Sequence, residues 1–160
     1  MPLKLLFAMG ICLCLSLKLA ANSSEPLETL QSQEKSAMQF YQAKKYEPAY
    51  QILSKLYLSA LSDRKINFFL GRSAFETGRY EIALAAFERV AMLDPANVRN
   101  QLEIAKTQYA LKMYEESSLG FKRVLSNPAL PDNVRRNVEL YAAKVDRKLQ
   151  KSFFFGTVKL

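Results

Sequence analysis

Histidine and tryptophan are absent from this chain, and its two cysteines, Cys12 and Cys14, sit close together near the start. Removal of that first segment would leave no thiol at all. A disulfide framework, a thiolate or imidazole zinc site and a histidine-based catalytic triad are therefore excluded for the processed chain. Only five glycines are present, and neither Gly71 nor Gly78 belongs to a phosphate-cradling loop; both suit helix packing and a turn. Close carboxylates are scarce as well. Glu115-Glu116 and Glu76 with Glu81 are the groupings found, and adjacent helical residues do not face one another. No catalytic residue, metal ligand or cofactor site is expected, and the chain reads as a non-enzyme. Long apolar runs are also missing. Leu5 to Leu17 is the longest, of signal-sequence rather than membrane-spanning length.

What remains is a soluble composition, 49% apolar and 24% charged, with a formal net charge of +8. The excess is concentrated after Phe121, where Lys and Arg far outnumber Asp132, Glu139 and Asp146. A basic end of this kind suits anionic lipid headgroups or an acidic partner. Residues 1–21, with Lys4 ahead of the apolar run and Leu19-Ala20-Ala21 as a cleavage site, read as a signal peptide, the alternative being an uncleaved N-terminal anchor. That makes the chain exported and argues against nucleic acid as a partner. Residues 22–28 are polar and read as a linker.

From residue 29 to 150 the pattern is helical and periodic. Ala37, Gly71 and Ala105 stand 34 residues apart; so do Tyr46, Tyr80 and Tyr114, and Ala49, Ala83 and Ser117. Leu53, Phe87 and Phe121 follow the same spacing, as do Leu56, Val90 and Val124. Each period holds two amphipathic helices with apolar residues three and four apart. In the clearest copy, Asn67 to Asn97, Gly78 ends the first helix and Asp94-Pro95 ends the second. Leu70-Gly71, Tyr80, Ala83, Phe87 and Pro95 resemble the signature of tetratricopeptide repeats, with Asn67 and Ala74 where Trp and Tyr are usual. The expected fold is therefore an all-α array of three helix-turn-helix repeats, at about 30–63, 64–97 and 98–131. A capping helix over 132–150 covers the last apolar face. Residues 151–160, with Phe153-Phe154-Phe155, suit a short β-strand.

Residues 64–160 also resemble the N-terminal periplasmic part of outer-membrane proteins of the surface lipoprotein assembly modifier type. The resemblance rests on LGRSAFETGRYEIALAAFERV, on VRRNVELY and on KSFFFGTVKL. It implies a periplasmic or outer-membrane-associated protein-binding scaffold joined in cis to a β-barrel for surface protein display or export, with the tail as the first strand. A free-standing periplasmic adaptor in envelope assembly, and a peripheral protein held to anionic lipid by its basic C-terminal helix, are the alternatives. The expected partner is a protein or peptide, with no small-molecule cofactor.

Stacked helix pairs present their first helices on one face. Tyr41, Phe75 and Tyr109 form one ladder there; Lys65 with Arg99, and Arg72 with Lys106, form two more, and Phe68 lies nearby. Rings flanked by cations suit an extended peptide carrying carboxylates. The two-carboxylate clamp known in some members of the repeat family is not expected. The matching positions hold Glu34, Met38, Phe69, Arg99 and Glu103, and among them only Arg99 is basic.

Overall fold

In this sequence three first helices end on the same backbone device. Lys44, Gly78 and Lys112 have φ values of 57°, 77° and 64°. At each end the left-handed residue donates to a carbonyl three residues back, and the next residue reaches five back. The bonds are Lys44 to Tyr41 and Lys45 to Phe40, Gly78 to Phe75 and Arg79 to Ala74, Lys112 to Tyr109 and Met113 to Gln108. This is the Schellman arrangement, which satisfies orphan carbonyls and turns the chain sharply.

The structure, a computed structural model, describes residues 25–157, with side chains for 29–151. Seven helices follow in order: α1 (Glu25–Gln42), α2 (Tyr46–Leu56), α3 (Arg64–Glu76), α4 (Tyr80–Leu93), α5 (Val98–Ala110), α6 (Tyr114–Leu125) and α7 (Asp132–Thr157). Each helix packs on its neighbour in sequence, and α1–α3, α3–α5 and α5–α7 also touch. The first helices thus line one face, and α7 stands where a fourth first helix would.

Starts and stops follow local chemistry. Asp63 caps α3 by accepting from the amides of Lys65 and Ile66. Asn97, one repeat later, caps α5 by accepting from Asn100. Pro48 lies in the first turn of α2, where its missing N–H costs no helical bond.

Packing accounts for most of the repeat columns. Ala37, Leu53, Leu56, Ile66 and Leu70 form a core between the first two repeats. Ala74, Ala83, Phe87 and Val90 fill the second repeat. Ala105, Phe121, Val124, Val138 and Val145 seal the third against α7. Phe87 and Phe121 are fully buried, a contribution of about 2–3 kcal/mol each. Asn67, in place of the usual Trp, is buried and donates to the carbonyls of Leu61 and Asp63 at 3.0 and 2.7 Å. It ties down the α2–α3 connection with hydrogen bonds rather than aromatic bulk.

Two boundaries differ from the sequence expectation. Helix α1 begins at Glu25, so the last residues of the expected linker are already helical. The expected strand is not formed: α7 continues through residues 151–157. A lone strand in an all-helical array has no partner for its N–H and C=O groups, whereas a helix satisfies them internally. Residues 1–21, read as a signal peptide, and Val158–Leu160 lie outside the described residues.

Candidate functional site

The face lined by α1, α3 and α5 carries a chain of polar contacts. Each runs between residues 31 apart, one helical turn short of the repeat. Lys65 Nζ donates to Glu34 at 2.7 Å, Arg72 Nε to the Tyr41 hydroxyl at 3.1 Å, and Arg72 to Glu103 Oε1 at 2.7 Å. Equivalent positions on neighbouring first helices are therefore not the ones that meet. The expected ladders at 34 mark equivalence, and the contacts lie one turn back.

Glu103 is the centre of this network. Its carboxylate also accepts from Lys106 Nζ at 3.0 Å, while Arg72 makes a further bond to Glu76 at 3.3 Å. The Glu103 side chain is 7% exposed, against 19% for Arg72 and 17% for Lys106, so these charges are largely withdrawn from water. Burial alone would lower the Arg72 guanidinium; the charge of Glu103 and the Tyr41 hydroxyl outweigh it and raise it above the ordinary value. Lys65 is raised by its hydrogen bond to Glu34.

The aromatic ladder has a second role. Tyr41 lies 5.5 Å from Tyr46, Phe75 5.4 Å from Tyr80, and Tyr109 5.9 Å from Tyr114. In each repeat the ring near the end of the first helix packs on the ring that opens the second, across the Schellman turn. Phe75 also lies under Lys106, at 5.4 Å. The structure thus joins Tyr41, Arg72, Phe75 and Lys106 around Glu103, and leaves Tyr109 with Tyr114.

The remaining expected residues gather elsewhere. Lys65, Phe68 and Arg99 line a groove of about 540 Å³ with Asp63, Arg64 and Asp94, at the starts of α3 and α5 and the end of α4. Arg64 pairs with Asp94 at 3.2 Å. The Arg99 guanidinium lies over the Phe68 ring at 4.8 Å and, among the described residues, meets no carboxylate within ion-pair distance. Arg99 also lines a second pocket of about 450 Å³, whose walls are mainly Val98, Leu102, Val124, Leu130, Pro131 and Val134. An exposed cation therefore stands between a polar groove and an apolar one. Glu103 and the apolar pocket were not among the expected site residues. The signal for Glu103 was its place 31 residues after Arg72; the pocket lies one repeat beyond the polar groove, with Val98, Leu102, Val124 and Pro131 standing 34 residues after Arg64, Phe68, Val90 and Asn97. No cluster of metal-ligating side chains occurs among the described residues.

The arrangement is the tetratricopeptide repeat fold. No protein-family model matches the chain, and no curated protein matches it in sequence. Solved structures do resemble it. The type III secretion chaperone SycD of Yersinia enterocolitica, in complex with a peptide of the translocator YopD, is 20% identical with a TM-score of 0.64, over 76% of this chain and 95% of that one. The first repeat domain of Spaghetti (RPAP3), bound to the HSP90 peptide SRMEEVD, is 14% identical with a TM-score of 0.64, over 77% and 94%. The repeat domain of Arabidopsis OM64 is 13% identical with a TM-score of 0.64, over 75% and 96%.

Proposed function

We propose that this chain is a peptide-binding scaffold, with its site at the starts of α3, α5 and α7. The observation that carries the reading is Arg99, an exposed guanidinium braced by Phe68 between two grooves. An extended segment laid across it would seat a carboxylate on Arg99 and an apolar side chain among Val98, Leu102, Leu130 and Val134. Arg72 and Lys106, already engaged with Glu103, hold the wall of the site instead of contacting the ligand's charge. The similar folds bound to peptides of YopD and HSP90 support a peptide ligand.

The test uses synthetic extended peptides carrying a carboxylate beside a leucine, read by fluorescence anisotropy. Arg99→Ala and Leu102→Asp should each weaken binding about tenfold or more. Unchanged affinity in both variants, with helicity retained, would sink this reading.

The finer reading is an exported scaffold that works beside, or joined to, an outer-membrane β-barrel in surface protein display or export. The signal-like segment of residues 1–21 and the resemblance of residues 64–160 support it. Fractionation of the producing cell tests it: recovery in the envelope is expected, and recovery in the cytoplasm would exclude it.

A further inference from the structure

The outer face of α7 carries a charge pattern that the groove does not use. Arg136, Lys144, Arg147, Lys148 and Lys151 are all exposed. Arg136, Leu140, Lys144, Arg147 and Lys151 follow one another at intervals of three or four residues, so they form one stripe along the helix. Leu140 stands within it, 62% exposed. The acidic residues Glu139 and Asp146 are seven apart and fall on the adjacent edge. The inner side of the helix is already committed: Val138 and Val145 are buried against α6, and Arg135 donates to the carbonyls of Leu125 and Asn127.

None of the four stripe cations pairs with a carboxylate among the described residues. Lys144 lies over the Tyr141 ring, and Arg147 bonds only the Ala143 carbonyl of its own helix. These four cations are therefore unneutralised and aligned along one side of the helix. The same helix runs on through Phe153, Phe154 and Phe155. Cations along one stripe with a leucine among them, followed by aromatic residues, is the composition of a helix that lies in a membrane interface.

We propose that the outer face of α7 binds the surface of an anionic phospholipid bilayer. The lysines and arginines meet the headgroup charge, and Leu140 faces the acyl boundary. This is surface attachment: among the described residues no helix is long and apolar enough to cross a membrane. The occupant follows from charge complementarity together with the apolar residues of the same helix; an acidic protein would make use of the charge alone. Docking through α7 would leave the grooves at the starts of α3 and α5 available to a peptide.

The test is co-sedimentation of the full chain with vesicles of phosphatidylcholine alone, or of equal parts phosphatidylcholine and phosphatidylglycerol. Because residues 1–21 are themselves apolar, the comparison is between variants of the same full chain. One variant combines Arg136→Gln, Lys144→Gln, Arg147→Gln and Lys151→Gln. A charge-matched control carries Lys35→Gln, Lys44→Gln, Lys45→Gln and Lys55→Gln, on exposed positions of the first repeat. The stripe variant should lose about a hundredfold or more in partitioning to the anionic vesicles, since each surface cation contributes several-fold. The control should keep most of it, and the wild-type advantage of anionic over neutral vesicles should fall away in high salt. Leu140→Gln should weaken binding further, with the salt dependence unchanged. Equal losses in the stripe and control variants, or equal binding to both vesicle types, would overturn the proposal. So would a full effect of the stripe with none from Leu140, which would point to an acidic protein.

Discussion

Lys44 and Lys112 hold left-handed backbone that their side chains do not favour, at positions where the second repeat has Gly78. Lys44→Gly and Lys112→Gly should each stabilise the fold by about 0.5–1 kcal/mol, the relief of left-handed strain less the added freedom of the unfolded chain. Gly78→Ala should cost about 1 kcal/mol or more. Urea denaturation of the three variants checks the set. Another single-residue effect is electrostatic. Arg79 makes two hydrogen bonds to Glu47, at 2.8 and 3.0 Å, and holds its carboxyl below the ordinary value. A depressed carboxyl contributes stability above its unfolded pKa that is lost as pH falls through the folded one. The Glu47 titration followed by NMR should therefore have a low midpoint in the native chain and an ordinary one in Arg79→Gln. At this scale the sequence was readable where a residue type declares its geometry, as Gly78 does. It was silent where packing imposes the same geometry on lysine.

At the scale of helix pairs, the second and third repeats each keep a close approach between their helices and realise it differently. A Cβ on Gly71 would come within 2.6 Å of the Phe87 ring, and one on Gly120 within 2.8 Å of the Ala105 Cβ. In the second repeat the first helix gives way to a phenylalanine; in the third, the second helix gives way to an alanine. Gly71→Ala should destabilise by about 1–3 kcal/mol, because the Phe87 ring is fully buried and has nowhere to move. Gly120→Ala should cost a similar amount, and Ala105→Gly in the same chain should recover part of it. Thermal unfolding of the single and double variants decides whether the two positions are coupled. The helices and turns were legible because a 34-residue period repeats every column three times. The tail was not. Its aromatic and β-branched composition suits a strand by local preference, but α7 runs directly into it, and among the described residues there is no strand for it to pair with.

At the scale of the whole molecule, the repeats are held together across their first helices as well as through the apolar core. Glu103 accepts from Arg72 of the preceding repeat and from Lys106 of its own. Glu103→Gln would leave Lys106 without its carboxylate and Arg72 with Glu76 alone, at a cost of about 2–3 kcal/mol in global stability. The loss should be larger than for Glu76→Gln, whose partner keeps Glu103. Denaturant unfolding of the two variants measures the difference. These links explain why the candidate site was only partly visible in the sequence. Lys65, Phe68 and Arg99 border a groove. Arg72 and Lys106 looked free because residues 34 apart were compared, whereas side chains meet at 31. The apolar pocket occupies the matching place one repeat later, where Val98 and Leu102 replace Arg64 and Phe68 and Leu130 joins the wall from the α6–α7 connection.

The most direct measurement is an NMR map of the face that a peptide occupies. A tight-binding peptide selected from a displayed random library would be titrated into the isotopically labelled full chain. Amide shifts should change at Lys65, Phe68, Arg99, Leu102 and Val134, around the two grooves that Arg99 joins. Changes confined to Ala91, Gln101, Ile104 and Leu119, which border a different pocket between α4, α5 and α6, would contradict the assignment of the first-helix face as the binding site.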